Sequence, residues 1–136
     1  MPAQPMTIPL WSLVAFILWT VCLVAAVSVV RLRHLAAGGS VRDFGIPDER
    51  RLLWRLFRAH LNCLENLPLF ASIVLLAAIR GVAGPALDTL AVVYVAARFA
   101  QSTVHVVGFS GNIRFACLIV QLISLLGFTS LAVGFL

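Results

Sequence analysis

Four long apolar stretches divide this chain, and the polar positions between and within them carry most of its information. Residues 10–30, LWSLVAFILWTVCLVAAVSVV, contain no charge and match the ~20 residues that a helix needs to cross a bilayer core. Arg31-Leu32-Arg33-His34 stops this run. The loop after it, AAGGSVRDFGIPDERR, is punctuated by Gly, Ser and Pro and reads as irregular. Pro47-Asp48-Glu49 then resembles a helix start, with acids near the positive end of the dipole. The second helix is predicted over 48–79 and closes at Arg80-Gly81. Gly84-Pro85 opens a third over 86–107. The segment GFSGN turns the chain into a fourth over 113–135, almost wholly apolar after Arg114. The expected fold is all-α: one domain, a bundle of four transmembrane helices. The opening MPAQPMTIP lacks a positive segment and the run after it is too long for a cleavable leader, so the first span is expected to be retained.

Composition changes the picture in one respect, the solvent. Of 136 residues, 62 % are hydrophobic and only 11 % charged, against about half and a quarter in soluble domains. Most of the surface should therefore face lipid. The net charge of +5 comes from ten basic residues, every one an Arg. A surface that tracks nucleic-acid phosphates would use Lys as well and has no need of four apolar spans, so nucleic acid is excluded as a partner. Arg without Lys suits forked recognition of carboxylates or thiolates and tolerates partial burial. Cys22, Cys63 and Cys117 form no CxxC pair and no His-Cys cluster, which indicates neither a disulfide framework nor a metal site; they read as small buried hydrophobes. Arg31, Arg33, Arg42, Arg50 and Arg51 border the first loop and Arg114 the third, whereas the second loop has only Arg80 and the termini have none. The positive-inside rule then places the first and third loops on the cytoplasmic side and both termini opposite.

The polar residues inside the apolar runs are the candidate chemistry. On a helical wheel Arg51, Arg55, Arg58, Asn62 and Glu65 share a sector of roughly 80°, with His60 on the opposite side. Tyr94, Arg98, Gln101 and His105 share about 60° of the third helix. Arg114 starts the fourth, with Gln121 two turns on, and Arg31 ends the first. Ionisable groups at membrane depth are costly and face a partner or a wet cavity. They could simply glue the helices together. The charge count favours a pocket instead: one acid, Glu65, stands against Arg31, Arg58, Arg98 and Arg114, and an uncompensated cluster calls for an anion. Glu65 suits an ammonium, the arginines suit carboxylates, and Asn62 can pair with an amide. A zwitterionic peptide fits that list. An anionic lipid headgroup would satisfy the arginines almost as well.

RAHLNCLENLPLF, residues 58–70, resembles the signature R-A-x-x-N-x-x-E-x-x-P-x-F of the MAPEG family, membrane-associated proteins of eicosanoid and glutathione metabolism. VVRLRH, RFAQSTVH and Arg114 resemble that family's first-, third- and fourth-helix elements. The resemblance implies a homotrimer that binds glutathione between neighbouring subunits. By position, Arg58, Asn62 and Glu65 would hold the tripeptide, with Glu65 taking its ammonium. Arg31 would reach a carboxylate from the adjacent subunit, His60 would meet the neighbour's site, and Arg98 would support the third-helix wall. Gln101 stands where relatives carry His or Tyr. Arg114 matches the arginine that stabilises the thiolate. His105 replaces the tyrosine that orients the sulfur, and Phe115 replaces a frequent serine. The implied activity is transfer of glutathione to hydrophobic small molecules, or reduction of lipid hydroperoxides. The alternative is a non-catalytic member that binds lipid or glutathione. A small transporter is disfavoured, because no repeat or pair of broken helices is present.

Overall fold

The computed structural model of the protein describes residues 5–108 and 110–135. The first four residues of the N-terminal stretch, and Phe109 of the expected GFSGN turn, lie outside them. Four helices follow one another: α1 (Ile8–Ala36), α2 (Leu52–Ile79), α3 (Pro85–Val107) and α4 (Gly111–Val133). Each is long and apolar enough to cross a membrane, and only 22–33 % of each most apolar stretch is buried within the chain. The remainder, including Trp11, Leu18, Leu69, Ile79, Leu122 and Ile123, is exposed, so the protein is an integral membrane bundle whose outer surface is solvated by lipid.

Two helix ends differ from the sequence expectation. Arg31, Arg33 and His34 do not stop α1, which continues to Ala36. Cations are favourable near a helix C-terminus, and the break comes only at Gly38, whose φ of +86° suits glycine. At 29 residues α1 is about 43 Å long, so its last turns project beyond a ~30 Å hydrocarbon core. Asp48 does not start α2. Its Oδ1 accepts from the backbone N of Arg50 at 3.0 Å and its Oδ2 lies 3.2 Å from Nε of Arg51. Those bonds close a separate turn, and Arg51 is still extended, with φ −83° and ψ 128°. A short 3₁₀ helix, Val41–Gly45, occupies the intervening loop. The smaller shifts have local causes: Pro85 supplies the first turn of α3, Ser110 Oγ accepts from Asn112 N at the start of α4, and Gly134 ends it in the left-handed region.

α3 packs most extensively on α4 and α1 on α2, while α2 also touches α3 and α4. One aromatic ring from each helix meets at the centre. Phe70 stacks on Tyr94 at 4.5 Å, with Phe16 at 6.1 Å and Phe128 at 6.4 Å from Phe70. All four are 0–1 % exposed. Between helices already in lipid such close packing, rather than expulsion of water, is what holds the elements together. Of the cysteines only Cys63 is buried; Cys22 is exposed on the apolar surface and Cys117 is half-buried. The expectation of three buried thiols is corrected accordingly: a small, weakly polar side chain costs little on a lipid-facing position.

At the end of the bundle that carries the α1–α2 and α3–α4 loops, the loop after α1 is strapped down. Asp43 Oδ2 accepts from His34 Nε2 at 2.7 Å and from the backbone N of Ser40 at 2.9 Å. These hydrogen bonds, the one to His34 foremost, hold the Asp43 carboxyl below its ordinary value. The Arg31 guanidinium lies 5.3 Å from the ring of Phe44 and 5.4 Å from that of Phe57, tying α1, the loop and α2 together.

Candidate functional site

The polar stripe of α2 straddles the boundary between bundle interior and outer surface, and its two edges do different things. Arg55 and Asn62 form the inner edge. Arg55 Nε donates to the carbonyl of Val106 at 3.0 Å, satisfying an orphan acceptor at the end of α3. Asn62 is half-buried, with Nδ2 3.1 Å from Nε2 of His105 on α3. Arg58 and Glu65 form the outer edge, and both are exposed. Glu65 lies about 20 Å along α2 from its first residue, near the middle of a helix long and apolar enough to cross a membrane. Neither has an ion-pair partner among the described residues. His60 lies on another side of α2, half-buried against Thr20 of α1, with Nδ1 unpartnered.

Three of the expected site residues converge. Arg114 Nη1 lies 3.3 Å from Nδ1 of His105 and 4.0 Å from Oε2 of Glu49, and His105 in turn meets Asn62. A guanidinium can only donate, so Nδ1 accepts and the ring proton sits on Nε2. A second N–H facing Nε2 would leave two donors opposed. The contact is satisfied when the Asn62 amide turns its oxygen to Nε2–H, an orientation fixed by the network. The chain Asn62–His105–Arg114 thus joins α2, α3 and α4 and orients the guanidinium.

Arg98 and Gln101 lie deeper, in a separate polar layer. Both are buried, at 1 % and 7 % exposed. Gln101 Oε1 accepts from Arg98 Nη1 at 2.9 Å and from Gln121 Nε2 at 3.1 Å, and Gln101 Nε2 donates to the carbonyl of Arg114 at 3.2 Å. Gln101 therefore fixes the backbone that bears Arg114. Arg31 stands apart near the end of α1, with a buried Nε that has no acceptor among the described residues.

Sequence reasoning did not reach Glu49 or the inner role of Arg55. Glu49 sits in a loop where helical periodicity says nothing, and Arg55 differs from Arg58 only by which edge of the stripe turns inward. The structure also separates groups that were grouped on the wheel: His105 reaches the loop end, whereas Tyr94, Arg98 and Gln101 point into the core. Two grooves, of about 400 and 420 Å³, are mostly apolar and lie toward the opposite end, one between α1 and α3 and the other beside the start of α1 and the end of α2. Neither coincides with the polar cluster. Among the described residues no group of His, Cys, Asp and Glu is arranged to hold a metal ion.

What remains open in the single chain is an outward-facing carboxylate and guanidinium beside an inward relay that ends on Arg114. Residues 9–134 match the family model described as the MAPEG family. A search of curated proteins returned no match.

Proposed function

The chain belongs to the MAPEG family, and from that premise we propose that it is a glutathione-dependent transferase or peroxidase of the membrane, active as a homotrimer. The observation that carries this reading is the exposed, unpaired Glu65 with Arg58 one face away from the Asn62 relay. A carboxylate at that depth is too costly to leave in lipid. A neighbouring subunit that covers this face of α2 would turn it into an enclosed polar site.

The residues fit the tripeptide. Glu65 offers an acceptor for its ammonium, Arg58 a forked donor for a carboxylate, and Asn62 an amide. Arg31 brings a buried Nε without an acceptor and reaches a carboxylate from the adjacent protomer. His60 faces that neighbour's site, and Arg98 and Gln101 support the wall from behind. The thiol supplies the nucleophile when bound. A free thiol has a pKa near 8.5 and is mostly protonated at neutral pH. A fixed guanidinium beside the sulfur favours the thiolate, and the His105–Asn62 relay holds Arg114 for that task. Since the His105 Nδ1 lone pair already accepts from Arg114, His105 acts as a positioning residue, not as a base. The second substrate is a hydrophobic electrophile or lipid hydroperoxide that reaches the site through lipid. The first and third loops lie on the cytoplasmic side.

The test is turnover of a chromogenic aryl halide and of cumene hydroperoxide by protein purified in detergent with glutathione. Glutathione-dependent turnover well above background is expected. No turnover, together with no thiolate absorbance on adding glutathione, would sink the catalytic reading. One observation favours a second one, a binding protein without catalysis: Arg114 already has His105 and Glu49 as neighbours. Retained glutathione or fatty-acid affinity without turnover would select it.

A further inference from the structure

Arg98 carries a full positive charge in the middle of the bundle with only 1 % of its surface exposed. No carboxylate pairs with it among the described residues. Nη1 donates to Gln101 Oε1 at 2.9 Å, but Nε and Nη2 are buried and meet no acceptor among the described residues. One turn earlier on α3, Tyr94 is also 1 % exposed and brings its hydroxyl beside the same guanidinium. Its oxygen lies close enough to that guanidinium to accept weakly from it, while its own O–H meets no acceptor among the described residues. The ring of Phe16 lies 6.0 Å from Cζ of Arg98, at the outer limit of a cation–π contact, so it does little to offset the charge.

Neutralisation by proton loss is not available, because a guanidinium stays charged in proteins. Burial of an unpaired charge costs several kcal/mol, and each orphaned donor costs about 1–3 kcal/mol more. Buried donors short of acceptors, around one positive charge and beneath aromatic rings, describe the surroundings of a small anion. We propose that Arg98 and Tyr94 form a buried site for a single halide ion, chloride in the cell, held by Arg98 Nε–H, Arg98 Nη2–H and the Tyr94 hydroxyl. A water molecule would meet the hydrogen bonds but leave the charge. A carboxylate of the tripeptide is kept away by Gln101, whose amide ties α3 to Gln121 and to the Arg114 carbonyl. The site is therefore distinct from the relay at the loop end, and it does not depend on the glutathione reading.

The experiment is anomalous diffraction from protein purified and crystallised in bromide, beside thermal unfolding in chloride and in gluconate at equal ionic strength. A bromide peak within hydrogen-bonding reach of Arg98 Nε, Nη2 and Tyr94 Oη is expected. So is a midpoint that rises saturably with chloride and not with gluconate. Arg98→Met should abolish both effects. Should that variant fail to fold, Tyr94→Phe keeps the ring stack on Phe70 and removes one donor; its chloride midpoint should shift upward by about tenfold in concentration. Three results would overturn the proposal: no peak at Arg98, density there that is the same in chloride and bromide, or a chloride response unchanged in Tyr94→Phe.

Discussion

Arg114 is a donor on every side, so everything it touches must accept, and this fixes the chemistry around it. His105 presents Nδ1 to it, and the ring proton is left to Asn62. Arg114→Ala should reduce turnover about a hundredfold, the scale of removing one charge-stabilising donor, with glutathione affinity nearly unchanged. Steady-state rates beside a binding titration check this, and an equal fall in both would reassign Arg114 to binding. His105→Phe keeps the bulk but frees the guanidinium to swing toward Glu49; it should lower kcat while leaving the elution volume on gel filtration unchanged. Asn62, His105 and Arg114 are all legible in the sequence as polar positions in apolar runs. Their mutual contact is not, because an 80° sector on one helix does not say which edge faces the bundle. In the sequence Glu49 reads as part of a helix start, since acids after proline carry the same signal in a capped helix and in a free turn.

At the scale of elements, the helices are legible because lipid demands long uncharged runs, whereas their ends are set by hydrogen bonds that periodicity does not see. α1 outruns its apolar run because Arg31, Arg33 and His34 are good helix residues near a C-terminus. The strap beyond it depends on Gly39, where an added Cβ would lie 2.1 Å from the His34 ring. Gly39→Ala should displace that ring, break the His34–Asp43 contact and expose the loop to protease, while the four spans stay folded. The same strap predicts a pH response. The Asp43 carboxyl is held below the ordinary 3.8 in the folded protein, so its contribution is fully present above that value. It is lost as pH falls through the lowered one. Amide protection over residues 37–51, taken relative to the intrinsic exchange rate at each pH, should hold down to about pH 4 and fall below it; protection unchanged down to pH 2 would show that the strap contributes nothing. The arginine of the second loop, which the positive-inside rule leaves unexplained, has a local role: Arg80 Nη1 donates to the carbonyl of Ala132, capping the C-terminal turn of α4, where a cation is favourable. Packing at the centre should dominate stability. Phe70→Ala, at a ring 1 % exposed, is expected to cost about 3 kcal/mol or more, against little for Leu69→Ala, 58 % exposed on the lipid face, as thermal melts in one detergent would compare.

The whole molecule has two surfaces. Most of its exterior is apolar and content in lipid, but the outer edge of α2 carries Arg58 and Glu65. The count of arginines against one intramembrane acid was legible from the sequence. That count suggested one shared pocket, whereas the folded chain distributes the charges among an outer face, an inner relay and a buried layer. The difference is physical: carbonyls, amides and rings of a single chain engage Arg55, Arg98 and Arg31 without cancelling their charge, and the outward pair Arg58 and Glu65 has no ion-pair partner among the described residues. The most direct measurement is a calorimetric titration of the detergent-purified oligomer with glutathione, for the native protein and for Glu65→Gln. The account predicts saturable heat for the native protein and at least about tenfold weaker binding, a loss of some 1.4 kcal/mol, for a variant that elutes at the same oligomeric size. Native protein that gives no binding heat, or a variant that binds equally well, would contradict it.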